Sequence, residues 1–216
     1  MLSMRLAAVI YDLDGTLIDS LDDMATSVNV TLAALGLAPR TREEIRGFIG
    51  EGVERLLERS LGESQQALVS EAVVRYRAHY SVHLLDRTRA YPGIAALIAI
   101  APVKRAVLTN KPGVLSRSIL EGLGLARAFA QVIGGDEAPK KPRPDGLLAL
   151  CARLGVRPEE ALMVGDSTVD VATAAAAGVP CCAVTWGLGD EAALRAAKPA
   201  YVCHSTGEVA ALIGGF

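Results

Sequence analysis

Short apolar runs recur along this 216-residue chain, and amphipathic stretches of helical length separate them. A short, uninterrupted apolar run is typical of a strand that is buried on both faces of a parallel sheet. Strands that alternate with helices predict right-handed βαβ crossovers and therefore a doubly wound, Rossmann-like parallel α/β sheet. The predicted strands are residues 5–11, 105–108, 131–133, 161–164 and 181–184, and the predicted helices are residues 112–123, 145–154, 168–177 and 191–197.

Residues 18–87 interrupt this alternation, because their apolar positions follow a helical period throughout. Within them, Thr41-Arg-Glu-Glu44 has the spacing of a capping box, which predicts the start of a helix. Residues 64–85 predict one long helix. We therefore expect an inserted all-helical cap domain of residues 18–87, an α/β core of residues 1–17 and 88–216, and hinges near residues 18–20 and 86–92.

The charge balance excludes some classes of partner. The 22 basic side chains against 24 acidic ones leave a formal net charge of −2, so nothing attracts nucleic acid or an anionic membrane over long range. The longest uncharged stretch, between Asp170 and Asp190, contains Gly178 and Pro180, which indicate a turn rather than a membrane span. We expect a cytoplasmic protein, monomeric or homodimeric, that binds a small molecule.

Polar side chains stand where the predicted strands end. Because the carboxyl ends of parallel strands meet at one edge of a sheet, and ligands of open α/β folds bind there, these side chains predict a single pocket. Its expected members are Asp12 and Asp14 after the first strand, Thr109 and Asn110 after the second, Asp166 and Asp170 after the fourth, and Lys141 before the helix at residues 145–154.

Crowded carboxylates favour a hard divalent cation, since like charges at close range raise one another's pKa unless a cation compensates them. Mg²⁺ takes oxygen ligands and usually binds through one or two carboxylates together with a substrate phosphate. The Lys141 ammonium, the Thr109 hydroxyl and the Asn110 amide suit a phosphoryl group, whose charge is spread over its oxygens. The predicted chemistry is Mg²⁺-dependent phosphoryl transfer on a small phosphate ester.

The ordered set Asp12-Leu-Asp-Gly-Thr, Thr109, Lys141-Pro and Gly165-Asp-Ser-x-x-Asp170 resembles the four motifs of the haloacid dehalogenase superfamily. The resemblance covers nearly the whole chain and implies a cap inserted after the first motif. It implies that Asp12 is a nucleophile that forms an aspartyl-phosphate, and that Asp14 acts as general acid and then as general base. It further implies that Mg²⁺ is held by Asp12, the Asp14 carbonyl and Asp166, with Asp170 a direct ligand or an anchor, and that Thr109 and Lys141 bind phosphoryl oxygens.

A finer resemblance, to phosphoglycolate phosphatases, rests on residues 12–20, 46–57 and 141–145. It implies that 2-phosphoglycolate is the favoured substrate and that a cap loop containing Gly50 faces it. Arg46 or Arg55 would then meet the substrate carboxylate, which a guanidinium binds bidentately. Three alternatives stay open: a β-phosphoglucomutase-like phosphotransferase, a receiver-like module that keeps its phosphoaspartate, and a catalytically silent phosphate-binding module.

Overall fold

A parallel β-sheet forms the centre of the molecule. The structure, a computed structural model, describes residues 6–100 and 103–216, so Arg5 of the first predicted strand lies outside the described residues. The strands are β1 (Ala8–Tyr11), β2 (Ile18–Asp19), β3 (Arg89–Ala90), β4 (Lys104–Leu108), β5 (Gln131–Ile133), β6 (Ala161–Gly165), β7 (Cys181–Val184) and β8 (Tyr201–Cys203). In this part of the chain six strands lie in the order β5-β4-β1-β6-β7-β8, all parallel to their neighbours.

β1 is the strand that positions the candidate site. All of its residues are buried, because it pairs with β4 on one side and β6 on the other while both of its faces are covered. Tyr11, its last residue, lies opposite Val107 of β4 and Val164 of β6. Because these three strands are parallel and in register, the polar segments that follow them emerge at the same edge of the sheet.

Helices cover both faces of this sheet. The α-helices of the described residues are, in chain order, α1 (Leu21–Ala34), α2 (Arg42–Arg46), α3 (Val53–Leu61), α4 (Val69–Tyr80), α5 (Ile94–Ala99), α6 (Gly113–Gly122), α7 (Asp145–Leu154), α8 (Thr168–Ala177), α9 (Glu191–Ala196) and α10 (Thr206–Gly214), of which α5–α10 cover the sheet. Apolar residues of α5, α6 and α10 pack against one face, and those of α7, α8 and α9 pack against the other. The predicted doubly wound α/β fold is therefore confirmed.

Helices α1–α4 lie between β2 and β3 and have an apolar core of their own, which includes Val28 and Ile45. α2 begins at the predicted capping box. The Thr41 amide donates to Glu44 Oε2 at 2.7 Å, and the Glu44 amide donates to Thr41 Oγ1 at 3.2 Å. The exact division of the chain into a cap of residues 18–87 and an α/β core stays a prediction.

The prediction that residues 18–87 are helical throughout is wrong in the connections between the helices and in two further places. First, β2 pairs antiparallel with β3 at the expected hinge, and a two-residue strand is too short to leave a period in the sequence. Second, the long helix predicted at residues 64–85 is a 3₁₀ helix, Glu63–Leu68, followed by α4, which ends at Tyr80. Within the 3₁₀ helix, the backbone of Gln65 leaves the helical region at φ −118° and ψ 18°.

The sequence prediction also omitted α5, β8 and α10. These elements lie together at one end of the sheet, where α10 contacts both α5 and β8. β8 has only three residues and lies at the edge of the sheet, so it lacks the buried apolar run that marks the central strands. Among residues 6–100 and 103–216, no helix has both the length and the hydropathy that crossing a membrane requires.

Candidate active site

Three carboxylates converge where β1 and β6 end. One oxygen of each of Asp12, Asp166 and Asp170 lies within 4.8 Å of the others, and all three residues are buried. Asp12 follows β1 and Asp166 follows β6, while Asp170 lies in the first turn of α8. Ser167 caps that helix, and its amide and hydroxyl both donate to Asp170 Oδ2, which holds this side chain in place.

The Lys141 ammonium lies between two of these carboxylates. Its Nζ is 2.7 Å from Asp12 Oδ1 and 2.6 Å from Asp170 Oδ1, and its side chain is 3% exposed. Burial alone would lower the pKa of Lys141, but the two carboxylates outweigh burial and raise the pKa above its ordinary value. Lys141 is therefore a permanent positive charge in the site.

The pKa of Asp12 lies well above its ordinary value. Burial is the main cause; the Lys141 ammonium opposes it, and the charges of Asp170 and Asp166 add to it. One ammonium among three carboxylates leaves an excess of negative charge, which a proton or a further cation must neutralise.

Asp166 is held by donors from two loops. Thr16 Oγ1 donates to its Oδ1 at 2.8 Å, and the Leu188 and Gly189 amides donate to its Oδ2 at 2.8 and 3.3 Å. Burial and the Asp170 charge raise the pKa of Asp166 to about 6, although the hydrogen bonds from these donors lower it. Gly15 has a φ of +86°, and a Cβ there would overlap the Asp166 carboxylate, so both the backbone and the space require glycine.

This donor set fits a hard divalent cation. Asp12, Asp166 and Asp170 offer carboxylate oxygens and neither sulfur nor imidazole, which is the ligand type of Mg²⁺ rather than of zinc or copper. The excess negative charge of the site supplies the electrostatic reason for cation binding. The Asp14 side chain lies outside this cluster of carboxylates, so only its backbone carbonyl remains for the metal role that the sequence predicts for Asp14.

The Asp14 side chain points to a different set of partners. Its Oδ1 accepts from Ser20 Oγ at 2.5 Å and from Lys111 Nζ at 2.6 Å. Lys111 in turn donates to the hydroxyl of Tyr80, a residue of α4, at 2.7 Å. Asp12 and Asp14 are thus two residues apart in sequence but lie in different electrostatic surroundings.

Thr109 and Asn110 lie at the end of β4, next to Lys141. Thr109 is buried, and its Oγ1 accepts from the Lys111 amide at 3.1 Å. Asn110 exchanges hydrogen bonds with the Lys141 backbone, and its Nδ2 also donates to the Gly50 carbonyl at 2.9 Å. Asn110 therefore positions Lys141 and joins the sheet edge to the loop between α2 and α3.

The cap arginines differ in their surroundings. Arg46 donates from Nε to the Leu188 carbonyl at 2.9 Å and from Nη2 to the Gly187 carbonyl at 3.2 Å. Arg46 thus contacts the loop that also holds Asp166. Arg55 pairs with Glu58 and has a side chain that is 62% exposed, so it faces solvent. The predicted contact of Arg46 with a substrate carboxylate stays a prediction.

Two cavities meet at Asp12 and Asp14. The smaller, of about 60 Å³, extends toward α4 and is lined by Lys111, Tyr76 and Tyr80, together with Thr109, Asn110, Lys141 and Gly50. The larger, of about 770 Å³, is an open cleft that Asp166 and Arg46 line. Asp12 and Asp14 therefore face a narrow space on the side of α4 and a wider cleft on the other side.

Comparison with known proteins places this geometry in a family. The family model of the haloacid dehalogenase-like hydrolases matches residues 9–184. The chain belongs to this family. Among its relatives, a phosphoglycolate phosphatase of Rhodospirillum rubrum is 42% identical over 196 residues, which cover 85% of this chain and 81% of that protein. One of Chromobacterium violaceum is 38% identical over 201 residues, which cover 89% of this chain and 90% of that protein.

A structural match covers nearly all of this chain. A crystal structure from Haemophilus somnus, described as a predicted phosphoglycolate phosphatase, superposes with a TM-score of 0.90 at 26% identity. That match covers 98% of this chain and 99% of the other. The helices between β2 and β3 of this hydrolase are therefore part of the matched structure.

Sequence reasoning missed Lys111, which contacts Asp14 directly. Lys111 follows Thr109-Asn110 at the end of β4, so the same strand-end position that selected those two residues could have selected it. A proline follows Lys111, as one follows Lys141. Only the fold shows that both lysines of this hydrolase are buried and paired with carboxylates, Lys111 with Asp14 and Lys141 with Asp12.

Proposed function

We propose that this protein is a Mg²⁺-dependent phosphatase that hydrolyses a small phosphate monoester, with 2-phosphoglycolate as its favoured substrate. Phosphatase activity in general is supported by one observation: at the sheet edge, Asp12, Asp166, Asp170 and Lys141 converge, and Asp14 lies beside them. The choice of substrate is supported by the relatives from Rhodospirillum rubrum and Chromobacterium violaceum, which are named phosphoglycolate phosphatases. A cytoplasmic location and a monomeric or dimeric state stay predictions from the sequence.

In the proposed reaction the Asp12 carboxylate attacks the phosphorus atom, and the bond from phosphorus to the ester oxygen breaks. Asp14 donates a proton to the departing alkoxide, which leaves as the alcohol. Water then attacks the aspartyl-phosphate, Asp14 takes the proton from that water, and inorganic phosphate leaves with Asp12 regenerated. The open cleft beside Asp12 and Asp14 gives water access for the second step.

The remaining residues position the phosphoryl group. Lys141 binds a phosphoryl oxygen and keeps the Asp12 carboxylate from repelling the substrate, while the Thr109 hydroxyl donates to another oxygen. Asn110 holds the Lys141 backbone and contacts Gly50 in the cap loop, so it orders the side of the site that faces the substrate. These roles follow from the enclosed position of the residues around Asp12.

Asp12, the Asp14 carbonyl and Asp166 would hold the metal ion. Asp170 already accepts from Lys141 and Ser167 with its two oxygens, which favours its role as an anchor for Lys141. When bound, Mg²⁺ neutralises the excess carboxylate charge and polarises a phosphoryl oxygen.

We expect Mg²⁺ to raise the melting temperature of the metal-free protein more at about pH 8 than at about pH 5. Because the pKa of Asp166 is raised to about 6, its carboxyl stays protonated in the folded protein below that pH, and this stabilises the fold. That contribution disappears as the pH rises through 6, when the carboxylate ionises and a cation can replace the proton. Differential scanning fluorimetry with and without Mg²⁺ measures both effects.

Asp166→Asn should remove most of the Mg²⁺-dependent shift in melting temperature at either pH. Asp22→Asn is the matched control, because Asp22 is 42% exposed and pairs with Arg42 away from the site. If Mg²⁺ raised the melting temperature of Asp166→Asn as much as that of Asp22→Asn, the cation would bind elsewhere.

Initial rates on a panel of phosphate monoesters test the proposed function. With Mg²⁺ present, we expect kcat/KM for 2-phosphoglycolate to exceed that for glucose 6-phosphate and p-nitrophenyl phosphate by at least about 10-fold, and chelation to abolish turnover reversibly. Equal rates across the panel would contradict the substrate assignment. Isomerisation of a sugar phosphate would indicate a mutase, and a stable phosphoprotein without turnover would indicate a receiver-like module.

A further inference from the structure

Lys111 is a buried cation that the proposed reaction does not use. Its side chain is 4% exposed, and its Nζ lies 2.6 Å from Asp14 Oδ1 and 2.7 Å from the Tyr80 hydroxyl. The ammonium also lies 4.9 Å from the centroid of the Tyr80 ring, which stacks on Tyr76 at 5.3 Å. Lys111 therefore lies between two groups: the carboxylate of Asp14, which is the proposed acid and base, and the aromatic rings of Tyr80 and Tyr76.

Lys111 and Tyr80 have hydrogen-bond donors to spare. A lysine ammonium has three N–H donors, and the described residues supply acceptors to two of them, Asp14 Oδ1 and the Tyr80 hydroxyl. Burial and the Asp14 charge raise the pKa of Tyr80 well above its ordinary value, so its hydroxyl stays neutral and keeps a hydrogen to donate. Both groups line the smaller cavity, together with Lys141, Arg77 and the carboxylates of Asp12 and Asp14. Lys141 is paired with Asp12 and Asp170, and Arg77 is paired with Glu54, so the spare donors of Lys111 and Tyr80 are the ones that suit an added anion.

The smaller cavity is lined by Asp14 and Lys111 together. In the proposed reaction Asp14 contacts the ester oxygen, so the leaving alcohol would lie in this cavity. Apolar side chains, among them Met24, Leu56 and Leu115, form much of the rest of its wall.

We propose that Lys111 binds a carboxylate on the leaving alcohol and thereby selects phosphate monoesters of short hydroxy acids. This inference rests on the proposed function, in which Asp14 contacts the ester oxygen. In a short hydroxy acid the carboxylate is close to that oxygen, so its partner must lie beside Asp14, as Lys111 does at 2.6 Å. Without the ammonium, the Asp14 carboxylate would repel a second carboxylate at this distance.

Arg46 is the competing partner for the carboxylate. Its guanidinium lines the larger, open cleft and already donates to the Leu188 and Gly187 carbonyls, and its side chain is 39% exposed. A charge in that position is screened by solvent, whereas Lys111 is enclosed. The structure thus favours Lys111 as the residue that recognises the carboxylate.

The test compares 2-phosphoglycolate with 2-hydroxyethyl phosphate, which has a neutral hydroxymethyl group in place of the carboxylate. We expect Lys111→Met to lower the ratio of their kcat/KM values by roughly 10- to 100-fold. Arg46→Ala and the matched control Lys140→Met should leave the ratio within about twofold, since Lys140 is 38% exposed and pairs with Glu54. If Lys111→Met does not fold, Lys111→Gln serves with the same expectation.

An equal loss for both esters would overturn the inference, because Lys111 would then act only through Asp14. A fall of the ratio in Arg46→Ala instead would also overturn it. Calorimetric binding of both esters to Asp12→Asn, with and without Lys111→Met, measures selectivity without turnover. Selective binding of 2-phosphoglycolate that depends on Lys111 supports the inference. If the wild-type protein binds in this way but hydrolyses no ester, the proposed function is contradicted and the inference is not. Non-selective binding by Asp12→Asn, or selectivity that survives Lys111→Met, overturns it.

Discussion

Asp12→Asn should lower kcat on any phosphate monoester by about 10⁴-fold or more, because an amide cannot attack phosphorus and form an aspartyl-phosphate. The substitution preserves the size of the side chain. Lys141 keeps its other partner, Asp170, at 2.6 Å, so we expect the protein to stay folded. Initial rates with 2-phosphoglycolate and p-nitrophenyl phosphate, together with a melting curve, check both expectations.

The control for this variant is Asp22→Asn, which makes the same chemical change at an exposed position on α1. Its rates should match those of the wild-type protein. If Asp12→Asn kept more than about one-hundredth of the wild-type kcat, the nucleophile would have to be another group. Trapping of a phosphorylated Asp12 in the wild-type protein, located by mass spectrometry, gives an independent measurement.

Lys141→Met should be the most destabilising substitution in the site. It removes a buried ammonium that bridges Asp12 at 2.7 Å and Asp170 at 2.6 Å, and it leaves both carboxylates without a counterion. Breaking a buried ion pair in this way costs about 3–5 kcal/mol of unfolding free energy. The same change should lower kcat by about 10²- to 10³-fold, because the phosphoryl oxygens lose a preorganised positive charge.

Urea denaturation without divalent cations measures the unfolding free energy of Lys141→Met. Lys140→Met is the matched control, since Lys140 is the adjacent residue, is 38% exposed, and should change stability by less than about 1 kcal/mol. Equal stabilities of the two variants would mean that the buried bridge does not stabilise the fold.

The parts of the fold that could be predicted from the sequence are those where burial leaves a local pattern. β1 and β6 are covered on both faces, so their sequences are continuous apolar runs with clear ends. α7 and α8 were predicted with the bounds that the structure has, because a glycine in the left-handed region follows each of them. The edge strand β8 and the two-residue strands β2 and β3 have no such pattern.

Some residues of the candidate site could likewise be predicted from the sequence, and others could not. Asp12, Asp14, Asp166 and Lys141 could be singled out because polar residues that interrupt apolar runs mark the ends of parallel strands. The roles assigned to them stay predictions until the variants are measured. Lys111 lies at the same strand end as Thr109 and Asn110, but its contacts with Asp14 and with Tyr80, which is 31 residues away in the chain, could not be predicted from the sequence.

The sequence by itself therefore determined the α/β class, the carboxyl-end location of the polar residues and the acidic character of the site, because periodicity and strand ends are local properties. The tertiary structure decided which partner each charged group has: Lys141 bridges Asp12 and Asp170, while Lys111 pairs with Asp14 beneath the Tyr80 ring. It also decided that Arg46 meets the Leu188 carbonyl. These pairings depend on how the elements pack against one another, and residues far apart in sequence carry no local signal of their distance in space.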